Sequence, residues 1–144
     1  MSSKWVEAWP THDIRSATIR SLFHTNITTR YGVPLVVRSD KGREFLGSFD
    51  RYLQDLGVDH RVVSTANPRA NGLVERYNRA IKEGIRKMVT LVGTIAWDEV
   101  LPEILAGLRM LPTRLGVSPH LMVFKQPARW LGTVQGGITE DMEI

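Results

Sequence analysis

The stretch Pro34-Leu-Val-Val-Arg-Ser-Asp-Lys-Gly-Arg-Glu-Phe45 governs the reading of the whole chain. A short apolar run closed by turn residues is the pattern of a buried strand. Pro34–Arg38 is therefore expected to be a strand that delivers Ser39 and Asp40 at its C-terminal end, with Lys41-Gly42 as the turn. That position carries chemical meaning, because α/β sheets present side chains to ligands at the carboxyl ends of their strands. Just downstream, Phe45, Phe49, Tyr52, Leu53 and Leu56 recur at helical spacing, and Gly57 stands where a C-cap glycine belongs. A strand feeding a helix in this way predicts an α/β fold.

The same rules extend in both directions. Lys4–Trp9 alternates like a short strand ended by Pro10, and Thr11–Arg30 has a helical period, with Asp13 near its start and Gly32 and Pro34 closing it. Beyond Gly57, His60–Thr65 is expected to be a second short strand, and Ala66–Gly72 a loop dense in breakers. A long helix is predicted over Leu73–Thr90 and another over Trp97–Leu111, where Pro102 is tolerated because it lies in the first turns. Pro119–Phe124 suits a short helix, and Glu140–Glu143 makes an acidic end. No repeat or domain boundary is visible.

Glu75 falls in the first turn of the predicted long helix, 35 positions after Asp40. At about 100° per residue, Val74, Tyr77, Ile81, Ile85 and Met88 form one stripe that packs, while Glu75, Arg79, Lys82 and Arg86 cluster beside it. A glutamate followed by three cations on one face has two readings. It is either a metal ligand with a phosphate track behind it, or a solvated face with one Glu-Arg pair worth a few tenths of a kcal/mol.

Bulk properties narrow the field. The chain has 144 residues, 42% hydrophobic and 24% charged, the balance of one ordinary soluble domain. It has no cysteine, which excludes disulfides and thiolate zinc sites, and its four histidines stand too far apart for a local metal motif, so each reads as a surface or packing residue. No run approaches a membrane span or a signal-peptide core, so no membrane partner and an intracellular location are expected. The formal charge of +4 and a pI near 9.8 favour an acidic partner such as nucleic acid.

Two segments, Arg38-Ser-Asp-Lys-Gly-Arg-Glu-Phe45 and Asn67-Pro-Arg-Ala-Asn-Gly-Leu-Val-Glu-Arg-Tyr-Asn78, closely resemble signature blocks of the integrase catalytic core of retroviruses and long-terminal-repeat (Gypsy-like) retrotransposons. The similarity extends, in order, through Ser3–Pro10, Arg30–Pro34, Trp97–Pro102 and Gly116–Pro119, covering about Ser3 to Trp130. It implies a ribonuclease-H-like fold in which three acids hold two Mg²⁺ or Mn²⁺ ions for polynucleotidyl transfer on DNA. Asp40 matches the second acid and Glu75 the third. Asn67 and Asn71 match polar residues of the active-site loop and Gly72 its hinge, while Arg79 and Lys82 match basic positions that touch DNA; Arg86 continues that face. Asn71 serves equally well as a turn former before Gly72.

The resemblance also implies what is missing. The family's first catalytic aspartate lies on a strand before the segment matched by Ser3–Pro10, so residues 1–130 are expected to be a core truncated before that aspartate, a partial fold lacking two strands, with 131–144 as a tail. Glu7, Asp13 and Glu44 are poor substitutes. Such a chain is expected to be inactive in isolation, and to fold poorly or to recruit a second copy or a partner chain to complete its sheet. Lys125 stands where relatives have a glycine suited to a left-handed backbone. The competing readings are a non-catalytic DNA-binding or interaction module adopted from a retroelement, and a decayed reading frame without a role. Action on chromosomal DNA implies a nuclear location.

Overall fold

A computed structural model describes residues 2–64, 68–93 and 96–129. Contacts divide the chain into two compact units, one formed by Trp9–Asn78 and the other by Met1–Ala8 with Arg79–Ile144.

In the Trp9–Asn78 unit, helix α1 (Ser16–Phe23) passes through a π-helical stretch, His24–Thr28, into the single turn α2 (Thr29–Tyr31). The start is later than the sequence suggests, because Asp13 folds the preceding residues into a turn, accepting the Arg15 N–H at 2.9 Å and the Thr18 hydroxyl at 2.6 Å. Strand β1 (Val36–Ser39), a 3₁₀ turn (Arg43–Phe45), α3 (Ser48–Asp55) and β2 (Asp59–Val62) follow. The two strands pair in parallel with Val37 opposite His60 and Ser39 opposite Val62. A parallel pair needs a crossover, and α3 supplies it. Gly57, at φ +72°, ends that helix as expected.

Packing explains the crossover. Phe49 and Leu53 on the inner face of α3 are buried with Val58, and Ile19, Phe23, Val37, Phe45 and Tyr52 close around them. The rings meet edge to face, Phe23 to Phe49 at 5.4 Å and Phe45 to Phe49 at 6.1 Å. Gly47 has no side chain with which to cap α3, so Ser16 of α1 accepts the Phe49 N–H at 2.8 Å in its place. Leu35, Val36 and Val62 stay exposed.

Helix α4 (Pro68–Val92) begins earlier than predicted. Residues 68–72 are helical rather than looped, which Pro68 favours, since a proline in the first turn loses no intrahelical bond. Of the expected packing stripe, Tyr77, Ile81, Ile85 and Met88 are half-buried, but Val74 is exposed.

In the other unit, α5 (Trp97–Met110) buries Val100, Leu101 and Leu105, and α6 (Pro119–Phe124) packs beside it. Gly84 of α4 lies where a Cβ would meet Ile104 at 3.2 Å, so glycine permits this approach. Lys4–Trp9 is not a strand: no ladder forms there among the described residues, and a strand exists only through its partner. Arg109 holds this segment instead. Its Nε–H donates to the Val6 carbonyl at 2.8 Å, a terminal N–H to Glu7 at 2.9 Å, and its guanidinium lies 4.8 Å from the Trp5 ring. Lys125 does adopt the left-handed conformation, φ 60°, at the end of α6. Among the described residues no helix is long and apolar enough to cross a membrane. The tail from residue 130 onward, including the acidic end, lies outside the described residues.

Candidate functional site

Asp40 follows directly on the last residue of β1. Its carboxylate bends back over the turn and accepts the Gly42 N–H at 2.7 Å, leaving its second oxygen without a described partner. Glu75 stands exposed on α4 and makes no hydrogen bond or ion pair among the described residues. Both acids line one cleft of about 510 Å³, with Trp9, Phe45, Val74 and Asn78 among its other walls. The cleft lies within the Trp9–Asn78 unit. The sequence placed these two carboxylates on separate elements, and the fold brings them to one opening.

No third carboxylate joins them among the described residues. Among the described residues no group of three histidine, cysteine or acidic side chains is placed to hold a metal ion. Glu7 is engaged by Arg109 and by the Trp5 indole at 2.9 Å. Hydrogen bonds from the Thr18 hydroxyl and the Arg15 amide hold the Asp13 carboxyl below the usual carboxylate range. Neither these two nor Glu44 lines the cleft.

The remaining expected site residues divide by position. Asn67 lies outside the described residues. Asn71 and Gly72 have helical backbone in α4. Arg79, Lys82 and Arg86 are all exposed along the same helix, and none forms an ion pair among the described residues.

One cluster was not visible in the sequence. His60, its side chain 3% exposed, sits with Nδ1 2.7 Å from an Asp50 oxygen and Nε2 2.8 Å from the Ser39 hydroxyl. That hydroxyl is also 3.0 Å from the Asp40 carbonyl, and Gln54 donates to the other Asp50 oxygen at 2.8 Å. Phe49 meets the imidazole edge to face at 5.8 Å. The signal was the placing of half-buried Val37 and Ser39 on one face with His60 of the neighbouring strand, but it needs the strand register to be seen.

Comparison with known proteins gives concordant results from sequence and structure. No family model matches. The chain is 33% identical over 128 residues to the Gag-Pol polyprotein of Walleye dermal sarcoma virus, and 33% identical over 126 residues to that of Koala retrovirus. These alignments cover 88% and 87% of this chain but only 7% and 8% of the polyproteins. In structure it is similar to the catalytic core domain of BIV integrase, with a TM-score of 0.70 and 22% identity over 85% of this chain and 80% of that one. The dimeric HTLV-2 integrase catalytic core, solved in complex with magnesium, gives a TM-score of 0.61 at 20% identity over 77% and 69% of the two chains.

Proposed function

The chain belongs to the retroviral integrase catalytic cores, with their ribonuclease-H-like fold, and from that premise we propose that it binds DNA and a divalent ion as a core of the polynucleotidyl-transfer class. The supporting observation is the shared cleft of Asp40 and Glu75. Two carboxylates are a hard oxygen donor set, and Mg²⁺ or Mn²⁺ is commonly held by one or two carboxylates with water and phosphate oxygens completing the shell. Asp40 and Glu75 are of the donor type that such an ion takes. When bound, it would polarise a phosphoryl oxygen and favour an oxygen nucleophile. Arg79, Lys82 and Arg86 would take phosphates along α4, and by resemblance Asn67, Asn71 and Gly72 would contribute to DNA binding.

The two-ion arrangement calls for a third carboxylate, which no described residue brings to the cleft. The isolated chain is therefore expected to bind without joining strands. Self-association fits the exposed Leu35, Val36 and Val62 beside the two-stranded sheet, and work on chromosomal DNA would place the protein in the nucleus.

A DNA-end assay in mixed Mg²⁺ and Mn²⁺, paired with a Mn²⁺ titration, tests this reading. Asp40→Asn and Glu75→Gln should each lose ion binding, and the parent chain should give no strand joining. Robust joining abolished by both substitutions would overturn the binding-only reading; ion binding unaffected by either would overturn the site. The second reading, a non-catalytic DNA-binding module, is favoured by three exposed cations without acid partners among the described residues. It is distinguished by salt-sensitive DNA binding that survives loss of both carboxylates. In that case alanine at Arg79, Lys82 or Arg86 should lower the slope of log affinity against log salt by about one per phosphate contact.

A further inference from the structure

We propose that the Asp50–His60–Ser39 relay is a positioning device that fixes the turn presenting Asp40; the inference rests on Asp40 being an ion ligand, as read above. Asp40 lies at the exposed end of a four-residue strand, where a chain ordinarily has several backbone choices. A metal ligand has to be held within about 0.5 Å of its working position, and outer hydrogen bonds usually supply that restraint. Here the restraint acts from two sides. In front, the Asp40 carboxylate closes on the Gly42 N–H at 2.7 Å. Behind, the Ser39 hydroxyl lies between the Asp40 carbonyl at 3.0 Å and His60 Nε2 at 2.8 Å.

The anchor of the relay is firm because of what surrounds it. The His60 side chain is nearly fully buried, packed on Phe49, and tied at Nδ1 to Asp50, which lies in the first turn of α3 and is itself oriented by Gln54. The relay thus joins β2, α3 and the end of β1 through side chains alone. Ser39 has one hydroxyl proton and two acceptors in reach. With the ring proton on Nδ1 facing Asp50, the hydroxyl donates to Nε2. With both ring nitrogens protonated, Nε2–H donates to the serine oxygen and the hydroxyl turns to the Asp40 carbonyl. The first arrangement fixes the Ser39 side chain on His60; in the second the same hydroxyl holds the Asp40 carbonyl as well. Ser39 also lines the cleft next to Asp40, so the restraint ends where the ligand begins.

The test uses the full chain with Ser39→Ala, Ser39→Thr, His60→Gln and Asp40→Asn. Solvent exchange of the Gly42 amide is read by NMR without metal, and Mn²⁺ alone is then titrated by the EPR signal of the free ion. Ser39→Ala should exchange the Gly42 amide faster and bind Mn²⁺ about tenfold more weakly, the lower end of what loss of an outer partner costs. Ser39→Thr, which keeps the hydroxyl, should match the parent in both. His60→Gln should follow Ser39→Ala if it folds, and Ser39→Ala decides the matter if it does not. Asp40→Asn retains an acceptor for Gly42 and should lose the ion while keeping the amide protected. If Ser39→Ala leaves Gly42 exchange at the parent value, the positioning role is overturned. If Asp40→Asn binds Mn²⁺ as the parent does, the ion site is overturned, while faster Gly42 exchange in Ser39→Ala still supports the hold of the relay on the turn.

Discussion

Asp40 and Glu75 open on one cleft, yet the fold treats them differently. Asp40 is held at its carboxylate by Gly42, and its carbonyl lies 3.0 Å from the Ser39 hydroxyl, which also meets a buried histidine backed by a helix-borne aspartate. Among the described residues Glu75 is held only by the helix that carries it. A glutamate side chain gives up as much as about 2 kcal/mol of rotamer freedom when it is fixed. For Asp40 much of that ordering is already built into the fold, whereas Glu75 must lose its freedom when a ligand arrives. The two halves of the candidate site therefore differ in preorganisation rather than in chemistry.

The largest effect should come from removing the packing behind Asp40. Phe49 is 2% exposed and touches Phe23, Phe45 and His60. Phe49→Ala is expected to destabilise the chain by about 3–5 kcal/mol through lost burial and the cavity left behind. Val74, on the Glu75 side of the cleft, is 59% exposed, and Val74→Ala should stay within about 0.5 kcal/mol. Urea melts of the two variants measure the contrast. Equal losses would show that both sides are equally built in.

A smaller effect separates the acids themselves. Asp40→Glu moves the carboxylate one methylene away from the turn that fixes it, whereas Glu75→Asp shortens a side chain with no described hydrogen bond to lose. In a Mn²⁺ titration the first should weaken binding about tenfold, the scale of a lost outer-sphere restraint. The second should weaken it by less than about threefold, or under about 0.7 kcal/mol. The reverse order would mean that the helix, not the turn, sets the geometry.

The places of Asp40 after a strand and of Glu75 on a helix were legible in the sequence because the signals that mark them are local: an apolar run ended by a turn, and a helical period. The relay was not, since Ser39 meets His60 only through the register that sets Val37 opposite His60, and register is a long-range property. The same distinction explains Lys4–Trp9. Its alternation is real, with Trp5 and Glu7 hydrogen-bonded on one side and Val6 buried on the other, but alternation cannot supply a neighbouring strand. At the start of α4, Ala66–Gly72 read as a run of breakers, although a proline in a first turn is also a start signal; Arg79, Lys82 and Arg86 fell on the exposed face as the period required. The π-helical stretch at His24–Thr28 had no sequence signature, and Tyr52, hydrogen-bonded to His24 at 3.0 Å and Thr28 at 2.9 Å, supports it from α3.

The smallest effect uses Asp13 as a metal-free reporter of the chemistry that holds Asp40. Both aspartates accept the N–H two residues ahead, Asp13 from Arg15 and Asp40 from Gly42, but Asp13 has the Thr18 hydroxyl in addition. Those bonds, Thr18 first, favour the charged form and lower the Asp13 pKa. A carboxyl whose folded pKa is depressed contributes its stability above the unfolded value of about 3.9 and loses it as pH falls through the lower folded value. The Asp13 carboxyl carbon, followed by NMR, should thus titrate below an ordinary aspartate. Thr18→Ala should move the midpoint upward without returning it to the unfolded value, because the Arg15 amide still donates. A full return would mean that the turn N–H contributes nothing to holding the charge on Asp13.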